Sequence, residues 1–78
     1  MKTIRQMQEE MADELAIMDL DSYSNPLGDG RRKMDWRYLR ETVCAREVAS
    51  LRRDYAYARI RGLITVHRRN AFSISGRD

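Results

Sequence analysis

The run from Tyr55 to Ser75 constrains the fold more than any other stretch of this chain. Residues 55 to 61 combine Ala, Tyr, Ile and Arg, which suit the last turns of a helix, with Arg at the carbonyl end where a cation is favoured. Gly62 follows, and a glycine just past the last turn can take the left-handed conformation that ends helices. Leu63-Ile64-Thr65-Val66 holds three β-branched residues in four and predicts a strand. His67-Arg68-Arg69-Asn70 is polar and fits a turn. Ala71-Phe72-Ser73-Ile74-Ser75 places Phe72 and Ile74 on one face and serines on the other, the period-two pattern of a half-buried strand, before Gly76 ends it. The last third therefore reads as helix end, strand, basic-tipped turn and strand.

Seventy-eight residues allow one domain, spanning 1–78, with a thin core, since a chain of this size buries only ~60% of the surface it exposes when unfolded. Hydrophobic residues at 42% and charged residues at 35% describe a folded, soluble chain and exclude a disordered one. No apolar run approaches the ~18 residues that cross a bilayer, and the N-terminus lacks the apolar centre of a signal peptide, so a cytoplasmic location and no membrane partner are expected. Cys44 is the only cysteine, which rules out an internal disulfide and a thiolate metal cluster within one chain. The net charge of +3 hides a division: residues 1–30 carry two cations against seven acids, a net −5, and residues 31–78 carry thirteen against five, a net +8. A basic half of this kind points to a polyanionic partner.

Thr3 and Gln6 form the Thr-x-x-Gln pattern of a capping box and predict a helix over residues 3–19. Ile4, Met7, Met11, Leu15 and Met18 recur at steps of 3, 4, 4 and 3, a narrow stripe that suits packing on one partner helix and supplies the candidate dimer or partner interface. Residues 20–34 read as a loop, with Asn25-Pro26 and Gly28-Asp29-Gly30 as breakers. Asp19, Asp21 and Asn25 lack the Gly and Glu of a calcium-binding helix-loop-helix, so an acidic linker is the reading there. Arg31-Arg32-Lys33 reads as a solvated approach to the next helix.

From Met34 to Arg61 the chain is helical in propensity, with Asp35 as N-cap. Trp36, Leu39 and Val43 share one side, while Val48, Leu51, Tyr55 and Ala58 lie roughly 100° around the wheel. Two shorter helices with a turn near Cys44-Ala45 each bury one face; a single long helix would have to bury both. The first option gives a mainly α fold with a small C-terminal β-hairpin, and the second an α-helical hairpin with a β tail.

Read with the break, Asp35–Val43 and Arg46–Arg61 followed by Gly62–Ser75 resemble the helix-turn-helix and wing of winged-helix bacterial regulators over residues 35–75. Cys44-Ala45-Arg46-Glu47 resembles the start of the recognition helix in regulators of the cyclic-AMP-receptor class, with Ala45 and Val48 replacing that family's Ser and Thr. Leu63-Ile64-Thr65-Val66-His67 matches the first wing strand. The interval from Cys44 to Gly62 is about two residues longer than in that class, and no effector domain has a counterpart here. The resemblance implies a duplex-DNA partner. Arg46 and Glu47 would face base edges, Arg52 and Arg53 would follow along the helix, and Arg68 and Arg69 would lie at the wing tip. Arg supplies thirteen of the fifteen cations, and its planar donor fork matches phosphate and guanine bidentately. Against this stands neutralisation: Arg37 by Glu41, and other arginines by the acidic first helix.

No catalytic, metal or cofactor site is expected. His67 is a lone turn-edge histidine, structural or phosphate-facing; Cys44 reads as a packed thiol; Ser73 and Ser75 read as an exposed strand face. Trp36 and Tyr55 are assigned to the core, and Tyr38 and Tyr57 to an interface. Two functions stay open. One is a small DNA-binding regulator, dimeric through the first helix. The other is a helical module of the inhibitor or antirepressor kind that binds another regulatory protein without DNA.

Overall fold

The computed structural model describes residues 1–76 and contains three helices and a small antiparallel sheet. Helix α1 spans Ile4–Tyr23. It starts at the expected capping box, with Thr3 Oγ1 accepting from the Gln6 amide and Gln6 Oε1 accepting from the Thr3 amide. The helix runs four residues past the expected end because Leu20, flanked by acids in the sequence, is completely buried. Ala16, Ile17 and Leu20 form its packed face. Its C-terminal carbonyls are held by Arg32, whose guanidinium donates to the Asp21 and Ser24 carbonyls at 3.0 and 3.1 Å and to Ser24 Oγ at 2.6 Å. A cation at the negative end of a helix is favoured electrostatically.

Arg32 therefore does not belong to a solvated run, and the expected loop is not irregular throughout. It contains two short strands, β1 (Asn25–Pro26) and β2 (Arg32–Lys33), paired antiparallel around the Gly28-Asp29-Gly30 turn. Strand β2 also pairs with the last strand, so the expected hairpin is part of a four-stranded sheet. Two-residue strands carry no periodicity of their own, and only the neighbour across the sheet defines them.

Helix α2 (Trp36–Thr42) is capped by Asp35, which accepts from the Tyr38 amide at 3.1 Å. Val43 and Cys44 are both extended, and helix α3 then spans Ala45–Ile60. The break at Val43-Cys44 overturns the single long helix and with it the α-helical hairpin. Gly62, at φ 73°, ends α3, with the Leu63 amide donating back to the Ala58 carbonyl at 2.8 Å and the Gly62 amide to Arg59 at 3.2 Å. These are the two bonds of a left-handed helix stop.

Strand β3 (Ile64–Val66) and strand β4 (Ala71–Ile74) follow, joined by a tight turn over Arg68–Asn70. The sheet order is β1-β2-β4-β3, with Ile64 opposite Ile74 and Phe72 between Val66 and Arg32. Phe72 of β4, Leu20 of α1, Met34 between β2 and α2, and Leu51 of α3 are the largest fully buried side chains. Phe72 meets Tyr55 edge-on at 5.6 Å, and Tyr55 meets Trp36 edge-on at 6.1 Å, an arrangement that aromatic quadrupoles favour. This chain of rings joins β4, α3 and α2.

Cys44 is exposed, contrary to a packed thiol, because the break between α2 and α3 turns it outward. Tyr57 is half-buried and directed inward: its hydroxyl donates to Asp13 Oδ1 of α1. Arg61 joins the same carboxylate through Nε at 3.2 Å and Nη2 at 2.9 Å. Tyr38 remains exposed. Among the described residues, no helix is long and apolar enough to cross a membrane.

Candidate nucleic-acid interface

Helix α3 buries Val48, Leu51 and Ala58 and leaves its opposite side open. Arg46 and Arg53 lie on that side and Arg52 and Arg59 at the exposed edge of the packed face, each pair seven residues apart, so the four form two rows roughly 120° apart around the helix. The exposed residues Ala45, Ala49 and Ala56 lie between the rows. Small side chains flanked by long cations leave a strip of helix that can approach a polyanion closely while the cations reach around it. Arg46 sits in the first turn of α3. The N-cap Cys44 supplies no side-chain hydrogen bond there, so the first amides of the helix remain available donors.

Among the described residues Lys33 of β2 and Arg40 of α2 are exposed and lack an ion pair, and the other cations divide by location. Lys2, Arg5, Arg31, Arg32, Arg37 and Arg61 are paired with carboxylates. Among the described residues, Arg46, Arg52, Arg53, Arg59, Arg68 and Arg69 have no carboxylate within ion-pair distance. Arg37 meets Glu41 at 3.8 Å, as the neutralised reading expects, and both side chains are largely exposed. Neutralisation of the basic half by the acidic first helix reaches Arg61 through Asp13 and Arg32 through Asp21. The Arg61 hydrogen bond, then that of Tyr57, holds the Asp13 carboxyl below its ordinary range.

Arg52 has a different partner: its guanidinium lies 4.7 Å from the centre of the Trp36 ring. A stacked guanidinium keeps its charge and its edge donors. Trp36 also lines a cleft of about 430 Å³ with Lys33, Asp35 and Asn70. The α2 N-terminus thus sits between the Arg52 row and the hairpin tip. A second cleft, of about 480 Å³, runs along α3 between Arg52, Tyr55, Ala56 and Arg59.

At the tip, Arg68 and Arg69 are exposed, and Arg69 and Asn70 both have positive φ, 58° and 63°. Non-glycine residues rarely take this conformation, least of all two in succession. The turn is closed by the His67 amide donating to the Ala71 carbonyl at 2.7 Å, and His67 Nε2 lies 2.7 Å from Ser73 Oγ. His67 and Ser73 therefore brace the base of the tip.

Of the six residues expected to read DNA, five are exposed cations, three on α3 and two at the tip. Glu47 stands apart: it is half-buried, roughly 100° around the helix from Arg46, and its charge acts on Asp54. Sequence reasoning missed Arg59, although its seven-residue spacing from Arg52 places it in the same row. It also missed the Arg52–Trp36 stack, which depends on how α2 crosses α3 and has no local signal. Among the described residues no cluster of His, Cys, Asp or Glu can hold a metal ion. Comparison with known proteins finds no matching family model, no matching characterised protein and no matching solved structure.

Proposed function

We propose that the chain is a small winged-helix DNA-binding protein, probing the major groove with α3 and contacting flanking backbone with the β3–β4 tip, in the manner of a transcription regulator. The observation that carries this reading is the exposed surface of α3, with four arginines that no carboxylate neutralises among the described residues. Leaving aside the two-residue edge strand β1, the order α1-β2-α2-α3-β3-β4, with β4 between β2 and β3, supports it as the arrangement a winged helix uses. Arg46 would supply base-edge contact, Arg52, Arg53 and Arg59 would neutralise phosphates on the groove walls, and Arg68 and Arg69 would hold the adjacent backbone.

The test is binding to duplex DNA across a salt titration. The affinity falls log-linearly with salt, and the Arg53→Ala/Arg59→Ala double variant reduces the slope by about two counterions. Absence of binding at low salt, or a slope indifferent to both substitutions, overturns the proposal. A second reading, an inhibitor or antirepressor-like module docking on another regulatory protein, draws on the exposed apolar residues of α1. It is favoured instead if a stoichiometric protein partner survives nuclease treatment while the chain has no affinity for DNA.

A further inference from the structure

Helix α1 has two apolar faces. Ala16, Ile17 and Leu20 pack on the body, while Ile4, Met7, Met11, Leu15 and Met18 are 45 to 71% exposed. At 100° per residue the two sets are centred roughly 180° apart, so the body lies behind the helix and leaves the stripe unobstructed along its length. Residues 1–12 are exposed throughout, and the first three turns of α1 extend beyond the packed core as an arm. Short helices without tertiary packing are marginal in water, and such an arm gains stability from whatever covers its apolar side.

The spacing suits a second copy of the same helix. The steps 3, 4, 4 and 3 read the same in both directions, with Met11 at the centre. Reversing a second helix about Met11 therefore sets Ile4 against Met18, Met7 against Leu15, and Met11 against itself. A two-fold axis requires this self-complementarity of an interface. Five side chains exposed to this extent make a patch of about 500 Å², at the upper end of what a monomer shows. Two such patches together approach the ~1,000 Å² at which specific interfaces begin.

We propose that the stripe is covered by a second copy of this chain, with the two α1 helices antiparallel about a two-fold axis at Met11. The proposal stands independently of the DNA reading. One flank of the stripe carries Glu10 and Glu14, and in this register Glu14 of each copy approaches Glu10 of the other. Lys2 already neutralises Glu10 within its own chain, at 2.8 Å. The remaining like-charge contact makes the dimer weaker at low salt than at moderate salt, opposite to the salt dependence of DNA binding.

Sedimentation equilibrium of the whole chain, from micromolar to millimolar concentration, tests the pairing. A reversible transition from 9.2 kDa to twice that mass is expected. Met11→Glu raises the dissociation constant about a hundredfold by placing two charges at the axis. Glu14→Lys lowers it about tenfold by turning two repulsions into attractions. Both sites are exposed, and circular dichroism confirms that each variant is folded. Orientation is read by oxidative cross-linking in a Cys44→Ser background: Met11→Cys links to itself, whereas Ile4→Cys links only when mixed with Met18→Cys. A monomer at every concentration, whatever else the stripe then binds, overturns the proposal, as does an Ile4→Cys chain that links to itself.

Discussion

Two residue-scale features stand out because each costs stability where it sits. Asp54 of α3 lies beside Asp19 of α1, and its Oδ2 is buried without a hydrogen-bond donor. Burial first, and then the Asp19 carboxyl, push the Asp54 pKa up to about 6. A proton between the two carboxyls gives the orphaned oxygen its partner. The folded chain thus binds that proton more tightly than the unfolded chain does. The resulting stability is fully present below about pH 4 and is lost as pH rises through about 6. Asp54→Asn should remove this loss and stabilise the protein by about 1 kcal/mol at pH 7.5, the full shift being discounted for solvent screening. Urea midpoints measured from pH 4 to 8 check it; a variant less stable than the parent at pH 7.5 contradicts the shared proton. The second feature is the tip, where Arg69 holds φ 58° without being a glycine. Arg69→Gly should raise stability by up to about 1 kcal/mol while weakening DNA binding. A loss of both, measured by thermal melts and by binding, would show that Arg69 serves the fold and not the contact.

At the scale of elements, helix ends decide the architecture. Cys44 is an N-cap without a capping side chain, so Cys44→Ser should stabilise α3 by about 0.5–1 kcal/mol, read from the urea midpoint. Gly62→Ala should cost about 1 kcal/mol, since φ 73° is strained for a residue with a Cβ although the space there is open. Three helix ends were legible in the sequence because their signals are local: Thr3 with Gln6, Asp35, and Gly62 before a β-branched run. The break before Arg46 was legible from two offset apolar faces. Strand β2 was not, because Arg32 and Lys33 become a strand only through pairing with Phe72 and Ala71, some forty residues on. The core face of α1 was missed for a different reason. The most regular apolar pattern, from Ile4 to Met18, is the face that the body leaves open, while the shorter Ala16-Ile17-Leu20 set does the packing. Periodicity marks a face that meets something without saying whether its partner belongs to the same chain. The arginines of the candidate site were legible by residue type, but their freedom from carboxylates depends on where α1 comes to rest.

Across the whole molecule, charge and apolar surface are sorted to different places. The acidic helix α1 touches the basic half through Asp13, which joins Tyr57 and Arg61, and through Asp21, which meets Arg32, and its stripe faces away from the core. Among the described residues, six arginines without a carboxylate partner lie on α3 and at the hairpin tip, with Trp36 between them stacked beneath Arg52, and a seventh, Arg40, lies on α2. Trp36→Ala should therefore weaken DNA binding as well as stability, because Arg52 loses the ring that holds it; a calorimetric titration beside a thermal melt separates the two effects. The central claim, that the open face of α3 and the tip form one nucleic-acid surface, is tested most directly by a nitrogen-15 NMR titration of the whole chain with a short DNA duplex at low salt. The amides of Arg46, Ala49, Arg53, Arg68 and Arg69 should shift together and saturate at one concentration, while those of Ile4 to Met11 stay in place. Shifts confined to α1, or no shifts at all, would contradict it.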